Sequence, residues 1–186
     1  MKSRIVLVTG GARSGKSSFA EEHVLQLGER IGYIATAEPF DEGMQDRIKK
    51  HISQRPATWP TYECYQEISP EIQTISTSCD VVILDCITVM LTNLMFKNEM
   101  DWETLSRSRI DEIEQYILEE VTQLIENMRE HHLNAVIVTN EVGAGIVPEN
   151  RLSRVFRDMA GRVNQLISKQ SDDVYYVVSG IPIKIK

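Results

Sequence analysis

Residues 10–17 read Gly-Gly-Ala-Arg-Ser-Gly-Lys-Ser, a complete G-x-x-x-x-G-K-S loop. The chemistry of that spacing is the handling of phosphate. Small residues let the backbone curl and aim its N–H groups inward, Lys16 reaches the outer phosphates, and the Ser17 hydroxyl is suited to ligate Mg²⁺. The positive end of the following helix dipole lies beneath the same anion. Gly10, Gly11, Ala12, Arg13, Ser14, Gly15, Lys16 and Ser17 are therefore the expected nucleotide-binding set. Two plainer readings compete: a glycine turn with no ligand, and a loop that binds nucleotide without catalysis. Arg13 either touches phosphate or is a solvated loop charge.

Asp85 is the second anchor. It ends the apolar run Val81-Val82-Ile83-Leu84, where a strand-end carboxylate holds Mg²⁺ directly or through water, or else caps the next element. Ser17 and Asp85 form the expected metal set. His51 follows Arg47-Ile48-Lys49-Lys50, with Arg55 four residues on. On a helix, Arg47, His51 and Arg55 share a face. A neutral imidazole there is able to attack an α-phosphate, giving a phosphoramidate as pyrophosphate leaves, with the cations stabilising the oxyanion. Residue types alone favour the alternative, an exposed histidine among lysines. His23, His131 and His132 read as solvated helix residues.

Asn140 and Glu141 end another apolar run, where ligands meet parallel sheets; they orient substrate or metal, or cap a turn. Arg151, Arg154, Arg157 and Arg162 add positive charge around the next helix, or pair with Glu149 and Asp158.

Apolar runs at 5–9, 31–35, 81–84, 135–139 and 174–178 read as buried strands, with a weaker one at 62–65. Between them lie helical patterns at 17–27, 102–128 and 151–167, and a polar, helix-compatible stretch at 42–54 closed by Pro56 and Pro60. The longest carries Ile110, Ile113, Ile117, Val121, Leu124 and Met128 at three- and four-residue intervals. It packs on the sheet or forms a short oligomeric seam. Ser179-Gly180-Ile181-Pro182 turns the chain into a hairpin strand at 183–185. This alternation predicts an α/β fold, a mostly parallel sheet with helices on both faces and a C-terminal antiparallel strand at one edge.

A length of 186 residues suits one domain spanning 1–186. The net charge of −7 argues against a nucleic-acid surface. Three cysteines without metal spacing suggest structural thiols in a reducing compartment. The chain enters its first strand without a leader pattern, and no apolar run reaches membrane-spanning length. The expectation is a cytoplasmic protein without membrane insertion.

The sequence resembles the bifunctional adenosylcobinamide kinase/adenosylcobinamide-phosphate guanylyltransferase family over almost its whole length. The likeness covers residues 9–17, Tyr33-Ile34-Ala35-Thr36-Ala37, residues 44–59 and Thr92-Asn93-Leu94. It continues through residues 139–152 and 156–165 to Val178-Ser179-Gly180. Gly43 departs from it, standing where an acidic residue commonly precedes Met44. The resemblance implies a RecA-like P-loop core, assembled as a homotrimer and acting in coenzyme B₁₂ assembly. It implies phosphorylation of adenosylcobinamide with ATP or GTP, then transfer of GMP from GTP onto adenosylcobinamide phosphate, with Mg²⁺ present. It also makes His51 the residue that becomes guanylylated. The alternatives carried forward are a kinase-only member and a nucleotide-gated assembly protein.

Overall fold

The computed structural model describes residues 3–39, 42–43, 45–46, 48, 52, 56–97 and 100–186. Seven strands form one sheet: β1 (Ile5–Gly10), β2 (Ile31–Ala35), β3 (Thr61–Glu63), β4 (Val81–Asp85), β5 (Asn134–Val138), β6 (Asp173–Val178) and β7 (Ile181–Lys184). Their order is β3-β2-β4-β5-β1-β6-β7. All neighbouring pairs are parallel except β6 and β7. Six parallel strands and one antiparallel edge strand thus match the expected sheet.

The helices are α1 (Lys16–Val24), α2 (Ile72–Ser78), α3 (Ile87–Met95), α4 (Arg107–Glu130) and α5 (Arg151–Gln170). Alternate strand residues point to opposite faces, and both faces here are apolar. Ile5, Leu7, Ile34, Val82, Leu84, Ala135 and Ile137 face α2, α3, α4 and α5. Val6, Val8, Tyr33, Ile83, Val136 and Val138 pack with Ala20 and Val24 of α1. Burial on two faces explains why the central strands read as unbroken apolar runs rather than alternating ones.

Helix α4 buries Ile110, Ile113, Ile117, Val121, Leu124, Ile125 and Met128, each worth about 1.5–3 kcal/mol when fully removed from water. Its apolar stripe is satisfied by the sheet and α5, so packing accounts for it without a second chain. It begins later than the periodicity suggests, because the Ser106 hydroxyl accepts the Arg109 N–H at 3.2 Å and caps it. Trp102 instead lies buried in the core. Asn150 caps α5 through the Ser153 N–H at 2.7 Å. Ser179 and Gly180 both have positive φ, 51° and 82°, the two-residue turn that suits the twist of a tight hairpin. No helix among the described residues is long and apolar enough to cross a membrane.

Candidate active site

The site lies at the carboxyl ends of β1, β4 and β5. β1 delivers the chain to Gly10, and α1 starts at Lys16 behind Gly15, whose φ of 93° is left-handed. That conformation suits glycine and few other residues. No side chain caps the first turn of α1. Arg13 also has positive φ, 57°, and is exposed. A Cβ on Gly10 would meet the Val177 carbonyl oxygen at 2.5 Å and Ser14 Oγ at 2.7 Å. The loop is therefore wedged against β6. The turn after β6 continues the contact, since the Gly180 N–H donates to the Ser14 carbonyl at 2.8 Å.

Lys16 folds into the loop and its Nζ donates to the Gly11 carbonyl at 3.0 Å. Only 8% of the residue is exposed. Burial lowers its ammonium from the ordinary value, while nearby Cys86 and Asp85 pull the other way. Ser14 Oγ is buried and has no hydrogen-bond partner among the described residues. A sheltered cation, an unpaired hydroxyl and an uncapped helix start thus fall within three consecutive residues, Ser14 to Lys16, an arrangement that attracts an anion.

Asp85 is half-buried at the end of β4. Its Oδ2 accepts the Tyr33 hydroxyl at 2.8 Å. The next peptide bond, Asp85–Cys86, is cis. Thr36 clasps Cys86 by its backbone: Oγ1 accepts the Cys86 N–H at 2.8 Å and donates to its carbonyl at 2.9 Å. Burial first, and the Asp85 charge second, push the Cys86 thiol up to about 11. It is a protonated structural group at neutral pH and not a nucleophile.

Asn140 donates to Thr88 Oγ1 at 2.6 Å, and its carbonyl accepts Asn164 Nδ2 at 3.2 Å. This ties the end of β5 to α3 and α5. Glu141 works locally: its carboxylate takes the Gly143 N–H at 2.6 Å, and its own N–H donates to the Gly10 carbonyl at 3.0 Å. The capping alternative describes the Glu141 side chain, while its backbone braces the entry to the phosphate loop.

A model of the family described as cobinamide kinase/cobinamide phosphate guanyltransferase matches residues 6–185. The bifunctional adenosylcobalamin biosynthesis protein CobU of Salmonella typhimurium LT2 is 45% identical, over 98% of this chain and 99% of its own. CobU of Escherichia coli K12 is 43% identical, with the same shares covered. CobP of Pseudomonas aeruginosa is 33% identical, over 97% of this chain and 96% of its own. The chain belongs to the cobinamide kinase/cobinamide phosphate guanyltransferase family. It is an enzyme of that type. Among solved structures, a KaiC-like protein of Pyrococcus horikoshii OT3 superposes with a TM-score of 0.45 at 14% identity, over 94% of this chain and 71% of its own.

In this family member the structure brings Gly10 to Ser17, Asp85, Asn140 and Glu141 to one end of the sheet. His51, Arg47 and Arg55 lie outside the described residues. Of the four arginines of α5, two hold backbone, and Arg162 pairs with Glu114 of α4, its Nη2 donating at 2.8 Å. Arg151 donates to the Glu103 and Leu105 carbonyls at 2.5 Å each, and Arg154 to the carbonyls of Pro148 and Glu149. Arg157 does pair with Asp158, at 2.9 Å.

His23 is not solvated, contrary to the reading from sequence. It is 9% exposed and stacks with Phe19 and Tyr175 at ring distances of 5.3 and 5.2 Å. Tyr33 and Gly180 were visible in sequence only as parts of family-like runs. A tyrosine inside a buried aliphatic strand was the available signal, because its hydroxyl must find a partner.

Proposed function

We propose that this chain phosphorylates the aminopropanol hydroxyl of adenosylcobinamide with ATP or GTP and then transfers GMP from GTP to adenosylcobinamide phosphate. The products are adenosylcobinamide-GDP and pyrophosphate, in coenzyme B₁₂ assembly. The reading rests on Lys16, a sheltered ammonium folded into a glycine-rich loop at a helix start and near Asp85. Family membership supplies the substrates.

In the kinase step, the loop N–H groups and Lys16 hold the nucleotide phosphates while the substrate hydroxyl attacks the terminal phosphorus in line. Partial removal from water strengthens the attraction of Lys16 for the charge that grows on the phosphoryl oxygens. Asn140 and Glu141 shape the rim where the corrinoid enters, with Arg47 and Arg55 as further orienting residues. In the guanylyl step, the neutral His51 imidazole attacks the α-phosphorus of GTP, and the bond to pyrophosphate breaks. The phosphate of adenosylcobinamide phosphate then attacks the phosphoramidate and returns His51 to its starting state.

Mg²⁺ fits this donor set. A hydroxyl from Ser17 and a carboxylate from Asp85 are hard oxygen ligands, and Mg²⁺ in nucleotide sites takes one or two of them beside phosphate oxygens. Among the described residues no group of three or more His, Cys, Asp and Glu is placed to hold a metal ion by itself. When bound, Mg²⁺ supplies charge neutralisation at the phosphates.

The sheet order supports a RecA-like P-loop core, since β5 separates the loop strand β1 from the Asp85 strand β4. The single sheet supports the reading of one domain over 1–186. Exposed Ile146, Val147, Ile181 and Ile183 offer apolar surface for self-association, and the homotrimer is what the family resemblance implies.

Acid-labile labelling with α-phosphate-labelled GTP tests the proposal. The wild-type chain is expected to take up label and release it to adenosylcobinamide phosphate, whereas His51→Ala takes up none and keeps kinase turnover. Stoichiometric labelling of His51→Ala would place the adduct elsewhere, and an unlabelled wild-type chain that still phosphorylates adenosylcobinamide would leave a kinase alone.

A further inference from the structure

We propose that Tyr33 is a positioning residue for the metal–phosphate site, its hydroxyl fixing the plane of the Asp85 carboxylate. This rests on the reading that Asp85 serves Mg²⁺. β2 and β4 run parallel with Tyr33 opposite Ile83 and Ala35 opposite Asp85. Side chains at Ile83 and Asp85 project from the same face of β4, and Tyr33 packs with Ile83 in the cluster beneath α1. The ring is 1% exposed, so it has little freedom to swing. Its hydroxyl reaches along the strand direction to Asp85 Oδ2 at 2.8 Å.

The acceptor makes the contact informative. A buried phenol needs a hydrogen-bond partner, and a backbone carbonyl would serve. Here the partner is a half-buried carboxylate at a strand end, near enough to Lys16 to act on its ammonium. A carboxylate ligand free to rotate loses part of its attraction in ordering itself around a metal. Outer hydrogen bonds remove that freedom and typically change metal affinity 10- to 100-fold. Thr36 performs the matching task for the backbone by gripping Cys86 on both its N–H and its carbonyl. Asp85 is thus held at the main chain by one residue and at the carboxylate by another. Packing alone does not require the hydroxyl, because phenylalanine fills the same ring volume.

The test measures binding rather than turnover. Affinity for a non-hydrolysable GTP analogue is titrated against Mg²⁺ in the full chain and in Tyr33→Phe. The expected result is a Mg²⁺ midpoint raised about 10-fold, restoration of affinity by excess Mg²⁺, and unchanged affinity in EDTA. A folded Tyr33→Phe with the wild-type midpoint overturns the proposal. Asp85→Asn separates the two layers of inference. If Asp85→Asn moves the midpoint and Tyr33→Phe does not, only the positioning role fails; if neither moves it, the metal role of Asp85 fails as well. In the double variant, Tyr33→Phe should add nothing to Asp85→Asn, and an additive shift counts against the proposal. Should Tyr33→Phe not fold, 3-fluorotyrosine at position 33 keeps the shape and donates more strongly. Its midpoint should shift from the wild-type value, and an unchanged one overturns the assignment.

Discussion

Replacing Gly10 by alanine places a methyl carbon 2.5 Å from the Val177 carbonyl oxygen and 2.7 Å from Ser14 Oγ. Val177 stands opposite Gly10 in the β1–β6 ladder, so the nearer obstacle is backbone and has no rotamer to change. Room for the methyl comes only from spreading the two strands where the loop begins. Overpacking of this kind costs about 1–3 kcal/mol, and an unyielding neighbour puts Gly10→Ala toward about 2–3 kcal/mol. In a chain of this size about 2–4 °C is lost per kcal/mol, giving a melting point lower by about 4–12 °C. Gly11 is the internal control. A Cβ there meets nothing within 4 Å, so Gly11→Ala should stay within about 0.5 kcal/mol of wild type. Differential scanning calorimetry of both variants, followed by isothermal titration with Mg·GTP, reads the difference. Gly10→Ala is expected to lose nucleotide affinity as well, because the same displacement moves Ser14. Equal melting points for the two variants would refute the close approach of β6 to the loop.

Two stability predictions concern the far end of α1 and the sheet edge. Asp173 is buried beside Arg4 at 2.7 Å and Lys184 at 2.5 Å. Burial raises its carboxyl, but Lys184 and Arg4 more than offset this and hold it below the usual 3.8. Its contribution is therefore present above pH 3.8 and lost as pH falls through the lower folded value. Asp173→Asn should cost about 1–3 kcal/mol at pH 7, since both cations are half-exposed and rehydrate, and urea unfolding at pH 7 and pH 3 checks both amount and sign. His23 behaves oppositely: burial, then Arg4, lower its imidazole below 6.5, with Lys184 in the same direction and Asp173 opposing. The unfolded chain binds that proton first, so stability is full above pH 6.5 and declines below it. His23→Phe keeps the aromatic stack and should flatten the decline below pH 6.5; an unaltered slope would sink this account.

Local spacing carried the parts of the site that sequence revealed. The phosphate loop and the strand-end Asp85 each need only their own neighbours to be recognised. So does α4, whose polar face contrasts with its buried stripe. Helix α3 escaped notice for the reverse reason, since Ile87, Thr88, Met90, Leu91, Asn93, Leu94 and Met95 are all buried and leave almost no polar face. Helix α2 is short and rich in Ser and Thr, which sit equally well in turns. His23 follows two glutamates and reads as wet; Tyr175, far along the chain, covers it. Gly10 and Gly11 look interchangeable within the motif, and only the carbonyl of Val177 tells them apart. Contacts made by distant segments leave no trace in local pattern.

β1 and its loop leave the ribosome well before β5 and β6, the two neighbours that β1 takes from the last third of these 186 residues. The Gly180–Ser14 contact comes later still. A nascent N-terminal half accordingly carries the complete phosphate motif without the walls that shape it. Competence to grip a nucleotide arrives only once β5 and β6 have been made, together with the long-range strand pairing that slows folding, so a chain that stops short of them has little means of sequestering GTP.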